Sequence, residues 1–132
     1  MLKVTQKYIY LLFLVIFIHN YSYAQKTKIL EQTADSLFNS SDYSNAQTYL
    51  LQLYEKVSTK KEITYKLGLC CLKQYQAQQA QRYFGKLIND ANPINDYLYF
   101  NYGLSLKANA KYKEAKKYFE KSYKKYKKKT MI

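Results

Sequence analysis

From about residue 27 onward, apolar side chains recur three and four residues apart, which is the spacing of one face of a helix. Each apolar stretch is followed by a short polar one, such as "NSSDYS" from Asn39 or "KANAKY" from Lys107. Read as stripes and turns, the pattern predicts six helices of about 12–17 residues and no strands. Three sets of residues are placed to start helices. Thr59-Lys60-Lys61-Glu62 has the form of a capping box. Asn92 before Pro93 suits an N-cap followed by a first helical position. Asp42 suits the N-cap of the helix after the first polar turn.

The stripes repeat. With Gly103 set at position 8 of a unit, Tyr112 falls at position 17, Ala115 at position 20 and Phe119 at position 24. Thirty-five residues earlier the same places hold Gly68, Ala77, Ala80 and Phe84, and thirty-four earlier still they hold Ala34, Tyr43, Ala46 and Leu50. Helices approach closely only where crossing positions are small, so Gly68 and Ala80 are expected at a backbone crossing. Phe84 and Phe119 are expected to fill the space beside it, while Gln78 and Gln79 face water.

This arrangement resembles the tetratricopeptide repeat family, whose unit is a helix–turn–helix of 34 residues. The resemblance covers three units, about 27–60, 61–95 and 96–129. The first unit departs from the pattern with Ala34 at position 8 and the second with Ala77 at position 17, and none has a tryptophan at position 4. The resemblance implies an all-α, right-handed α-solenoid whose first helices line a concave groove for a protein or peptide. Carried over position by position, the groove would hold Tyr65, Leu69 and Leu72 from the second unit and Tyr97, Phe100, Asn101 and Leu104 from the third. Such a strip suits an extended or helical peptide with aromatic anchors. Glu31 and Asp35 stand where a clamp for an acidic C-terminal tail would need basic and amide residues, so capture of such a tail is not expected.

The segment before the repeats has a different pattern. Lys3 and Lys7 precede an eleven-residue apolar run, Tyr8 to Ile18, and Ser22-Tyr23-Ala24 follows. That order predicts a secretory signal peptide over 1–24, cleaved after Ala24, and export to the periplasm or cell envelope. No cysteine stands at the cleavage site, which argues against a lipoprotein. The lysine, asparagine, isoleucine and tyrosine bias and the Ala-Gln that ends the signal also resemble exported envelope proteins of the Bacteroidota type. In those, such repeats precede propeller and peptidoglycan-binding domains, whereas this chain stops at a unit boundary.

Charge and chemistry sharpen the picture. Removing the signal takes two lysines and the single histidine, so residues 25–132 carry 20 − 9 = +11. Without histidine the commonest general base and metal ligand is absent. There are three glycines, too few for a phosphate-binding loop, and no nucleophile stands beside an orienting base. The expectation is a binding protein with no catalytic residue, metal site or cofactor. Cys70 and Cys71 are neighbours, whose side chains point about 100° apart on a helix and do not easily bond to each other. They read as two small apolar side chains, with a disulfide between two chains as the alternative.

From Lys107 to Lys129 there are eleven lysines against Glu114 and Glu120, a net of +9. They surround a stripe of Tyr112, Ala115, Phe119, Ser122 and Tyr126, so the segment predicts an amphipathic helix. Lys113, Lys117, Lys121, Lys124, Lys125 and Lys128 form its basic face. That face can be a solvated cap closing the solenoid, or it can meet an acidic partner or an anionic envelope surface. Nucleic acid is disfavoured by export and by the single arginine, Arg82. Tyr118, Tyr123 and Tyr126 suggest a patch for weak homo-oligomer formation.

Overall fold

The stripes fold as helices and the polar stretches as their turns. The computed structural model describes residues 2–57, 59–90 and 93–130. Its elements are α1 (Leu2–Asn39), α2 (Tyr43–Lys56), α3 (Lys61–Lys73), α4 (Ala77–Gly85), α5 (Leu98–Ala108) and α6 (Tyr112–Thr130). The described residues contain no strand.

Lengths differ from expectation at four helices, the last of them α6, which runs for 19 residues. The first spans 38 residues, because the apolar run and the first stripe join without a glycine or proline between them. Residues Tyr8 to Ile18 are exposed along it. Among the described residues no helix is long and apolar enough to cross a membrane. In α4, the regular helix stops after 9 residues and continues as tight turns, with Leu87 N–H donating to Phe84 O at 2.9 Å. Helix α5 begins at Leu98 rather than at Pro93, and Asn95 Oδ1 accepts from Tyr97 N–H at 2.9 Å just before it. The N-cap expected at Asn92 lies outside the described residues.

Asp42 caps α2, its Oδ1 accepting from Asn45 N–H at 3.2 Å. The capping box at Thr59 does not form. Helix hydrogen bonding starts at the carbonyl of Lys60, so Lys60 takes the N-cap without a side-chain bond, and Thr59 sits one residue too early.

One turn is built three times. Ser41, Tyr75 and Ala110 each take a left-handed backbone, with φ of 64°, 61° and 59°. The next residue donates back across the turn at each place: Asp42 N–H to Leu37 O, Gln76 N–H to Cys71 O and Lys111 N–H to Leu106 O, at 2.8–2.9 Å. This is the Schellman helix ending, which usually places glycine at the left-handed position. Here none of the three is glycine, and the polar stretches alone did not reveal the turn.

Packing follows chain order, α1 on α2, α3 on α4, α5 on α6, with α2 meeting α3 and α4 meeting α5. The crossings are as the spacing implies. A Cβ on Gly68 would stand 2.6 Å from the Phe84 ring, and one on Gly103 would stand 2.7 Å from the Phe119 ring. Each phenylalanine therefore lies against bare backbone. The core divides into two clusters. One holds Ala34, Ala46, Leu50, Leu53, Ile63, Leu67 and Cys70. The other holds Cys71, Ala80, Phe84, Leu87, Leu98, Tyr102, Leu106 and Ala115. The neighbouring cysteines point apart, and each fills a different cluster.

Candidate functional site

The strip expected from the repeat positions is built on α3 and α5. Tyr65 leaves α3 half-buried with its ring centroid 5.7 Å from that of Phe84, and its hydroxyl accepts from Asn101 Nδ2 of α5 at 2.7 Å. Burial pushes the phenol above its ordinary value, so it stays neutral. This bond ties two elements of the strip together across the gap between successive hairpins.

The residues of the strip separate into support and surface. Leu69 and Leu72 are half-buried and pack on the second core cluster, so they serve as floor rather than as free anchors. Leu104 is half-buried as well. Tyr97 is 70% exposed and Phe100 43% exposed, the latter with its ring centroid 5.6 Å from that of Phe119. Two exposed aromatic rings on a supported, hydrogen-bonded base are what the arrangement offers a partner.

The acidic side chains of α1 beside this strip are engaged. Asp35 pairs with Lys66 at 2.6 Å, and Glu31 pairs with Lys60 at 3.0 Å. Lys66 also stands 6.0 Å from the centre of the Phe38 ring. These pairs bridge α1 to α3 and its approach, and spacing within one helix could not reveal them.

Helix α6 divides its lysines in the same way. Lys113, Lys117, Lys124 and Lys128 are exposed. Two others expected on the basic face are engaged within the chain. Lys125 pairs with Asp96 at 3.0 Å, and Lys121 stands over the rings of Tyr118 and Tyr99, 5.0 and 5.6 Å from their centres. Lys129 also pairs with Asp96 at 2.7 Å, and the two ammonium groups hold the Asp96 carboxyl below its ordinary value. The tyrosine patch is reduced too. Tyr118 is half-buried edge-on against Tyr102, centroids 4.7 Å apart, leaving Tyr123 and Tyr126 exposed.

A further recurrence joins the hairpins. Gln74 Nε2 donates to Tyr43 O at 3.3 Å and to Gln47 Oε1 at 2.6 Å. Asn109 Nδ2 donates to Ala77 O at 3.0 Å and to Gln81 Oε1 at 2.8 Å. In both cases the amide ending one hairpin's first helix bonds the same two places on the preceding hairpin's second helix. The signal was present as Gln47 and Gln81, 34 apart, and Gln74 and Asn109, 35 apart.

The cysteines are free thiols, fully buried. Burial, and then the neighbouring Cys71, push Cys70 up to about 12, and burial pushes Cys71 up to about 11. A disulfide to a second chain is excluded while the fold is intact, because neither sulfur reaches the surface. No family model matches this chain, and no curated protein is found to match it.

Proposed function

We propose that the chain is an exported α-solenoid of three tetratricopeptide-like units, about 27–60, 61–95 and 96–129, that acts as a protein–protein adaptor in the periplasm or cell envelope. The recurring Gly–Phe crossings, left-handed turns and amide bonds support a repeated unit, since each returns at the same place in the 34- or 35-residue period. The 1–24 segment is proposed as its signal peptide. The observation that carries the binding role is the pair of exposed rings, Tyr97 and Phe100, beside the Tyr65–Asn101 bond.

A peptide segment with apolar side chains would lay them against these rings, and the Tyr65 and Asn101 polar groups would meet its backbone. Both acids of α1 are already paired, so the strip presents little net charge to a partner. Panning an unbiased peptide library on the full chain tests the reading. Selected peptides should be rich in apolar residues, and Tyr97→Ala should weaken them by about 2 kcal/mol, as for a central aromatic anchor. Peptides whose binding ignores both Tyr97→Ala and Phe100→Ala would overturn it.

A further inference from the structure

The outward face of α6 carries charge that the fold does not use. At about 100° per residue, Lys113, Lys117, Lys124 and Lys128 fall within a sector of about 60°, opposite the buried Ala115. They span roughly 22 Å of helix. Glu120 is the acid within that face. Lys113 with Lys117, and Lys124 with Lys128, are like charges one turn apart, and each pair destabilises the helix that bears it. Lys121, Lys125 and Lys129 are offset by rings or by Asp96 at the sides, whereas the four outward lysines have only the exposed Glu114 and Glu120 of their own helix beside them. Such a face calls for an external anion.

Its shape and side chains select among anions. The face is one convex helix, with no cleft to hold a strand of nucleic acid. All its cations are lysines, compact ammonium groups suited to a diffuse layer of negative charge, whereas recognition of individual phosphates favours the arginine fork. Tyr112 and Tyr123, each 65% exposed, lie about 80–100° round the helix from this sector, beyond the exposed Lys116 and Lys127. A ring with a polar tip settles at the headgroup level of a bilayer. We infer that α6 docks the protein flat on a bilayer rich in anionic phospholipid, through Lys113, Lys117, Lys124 and Lys128, with Tyr112 and Tyr123 on the flank of the helix.

The test is co-sedimentation of the full chain with vesicles of phosphatidylcholine alone and with about one-third phosphatidylserine, at low and high salt. The apolar run Tyr8 to Ile18 can enter either bilayer, so the readout is the ratio of the two affinities. Each lysine near an anionic surface is worth roughly a fivefold factor, so with four the ratio should be on the order of several hundredfold at low salt and collapse at high salt. Changing all four lysines to glutamine should bring it close to one, while changing them to arginine should keep it. Phe100→Ala should also keep it, which separates this surface from the peptide strip. A ratio near one for the parent protein, a ratio that survives the glutamine changes, or one lost with Phe100→Ala would overturn the inference. So would single-stranded RNA that displaces the protein from the anionic vesicles at equal phosphate concentration.

Discussion

Gln81 of α4 and Lys116 of α6 occupy the same place in the repeat, 35 residues apart, yet do opposite things. Gln81 is half-buried and accepts the Asn109 amide from the next hairpin. Lys116 is exposed. A weaker contrast holds at Leu87, buried in the second cluster, and Ser122, its half-buried counterpart on α6. A second helix that receives a following hairpin carries an amide and a leucine on that side, and the last described one carries a lysine and a serine. Position in the repeat fixes the backbone geometry, and what covers the face fixes its chemistry.

The contrast predicts unequal costs for equal changes. Phe84→Ala empties a fully buried place against Gly68 and should cost about 3–5 kcal/mol, whereas Phe119→Ala, at a half-buried place, should cost about 1–3 kcal/mol. Chemical denaturation of both variants checks the order, and equal losses would remove the distinction between inner and outer hairpins. Next comes the glycine pair. Gly68→Leu must displace the Phe84 ring and should cost about 1–3 kcal/mol, occasionally more. At Gly85 a Cβ would meet Tyr102 at an ordinary 3.7 Å, so Gly85→Ala should be neutral or stabilise by up to about 1 kcal/mol.

The amide bonds come third. Asn109→Ala removes the donor to Ala77 O and Gln81 Oε1 and should cost about 1–2 kcal/mol, while Lys116→Ala should stay within about 0.5 kcal/mol of the parent. A similar loss at Lys116 would mean that α6 is covered as α4 is. Smaller still, Tyr75→Gly relieves a left-handed backbone and should raise stability by about 0.5–1 kcal/mol, visible as a higher midpoint in the same denaturation assay. The thiols should show no effect near neutral pH. Their ordinary value is 9.0 and the folded values lie at about 11 and 12, so above pH 9 the unfolded chain loses protons that the folded chain keeps. Stability should therefore fall between pH 9 and about 12, and Cys70→Ala with Cys71→Ala should flatten that slope, most clearly between pH 9 and 10, below the range of Tyr65, Tyr83 and Tyr102, whose phenols burial pushes up.

Much of the core was legible because its contacts are set by helix geometry at short range. Gly68 and Phe84 are 16 residues apart, as are Gly103 and Phe119, and a tight turn between two helices brings each pair together. The Asp42 cap was legible for the same reason, since it reaches only to Asn45. Thr59 misled because a capping signal fixes a helix start to within a residue, and one residue decides which side chain meets the free N–H groups. In the strip, helical periodicity could put Leu69 and Leu72 on one face with Tyr65, but not say that the following hairpin would lean on them.

By itself the sequence determined that the chain is helical, where the turn inside each hairpin falls, which small residues admit which large rings, and that charge gathers on the last helix. Those properties depend on side chains within one hairpin, where the backbone holds the geometry nearly constant. Only the tertiary structure decided which lysines meet Asp96 or a tyrosine ring, which amides join one hairpin to the next, and that Tyr97 and Phe100 stay open while the leucines beside them do not. These are contacts between segments about 30 residues apart, and local periodicity carries no record of which side chains such segments bring face to face.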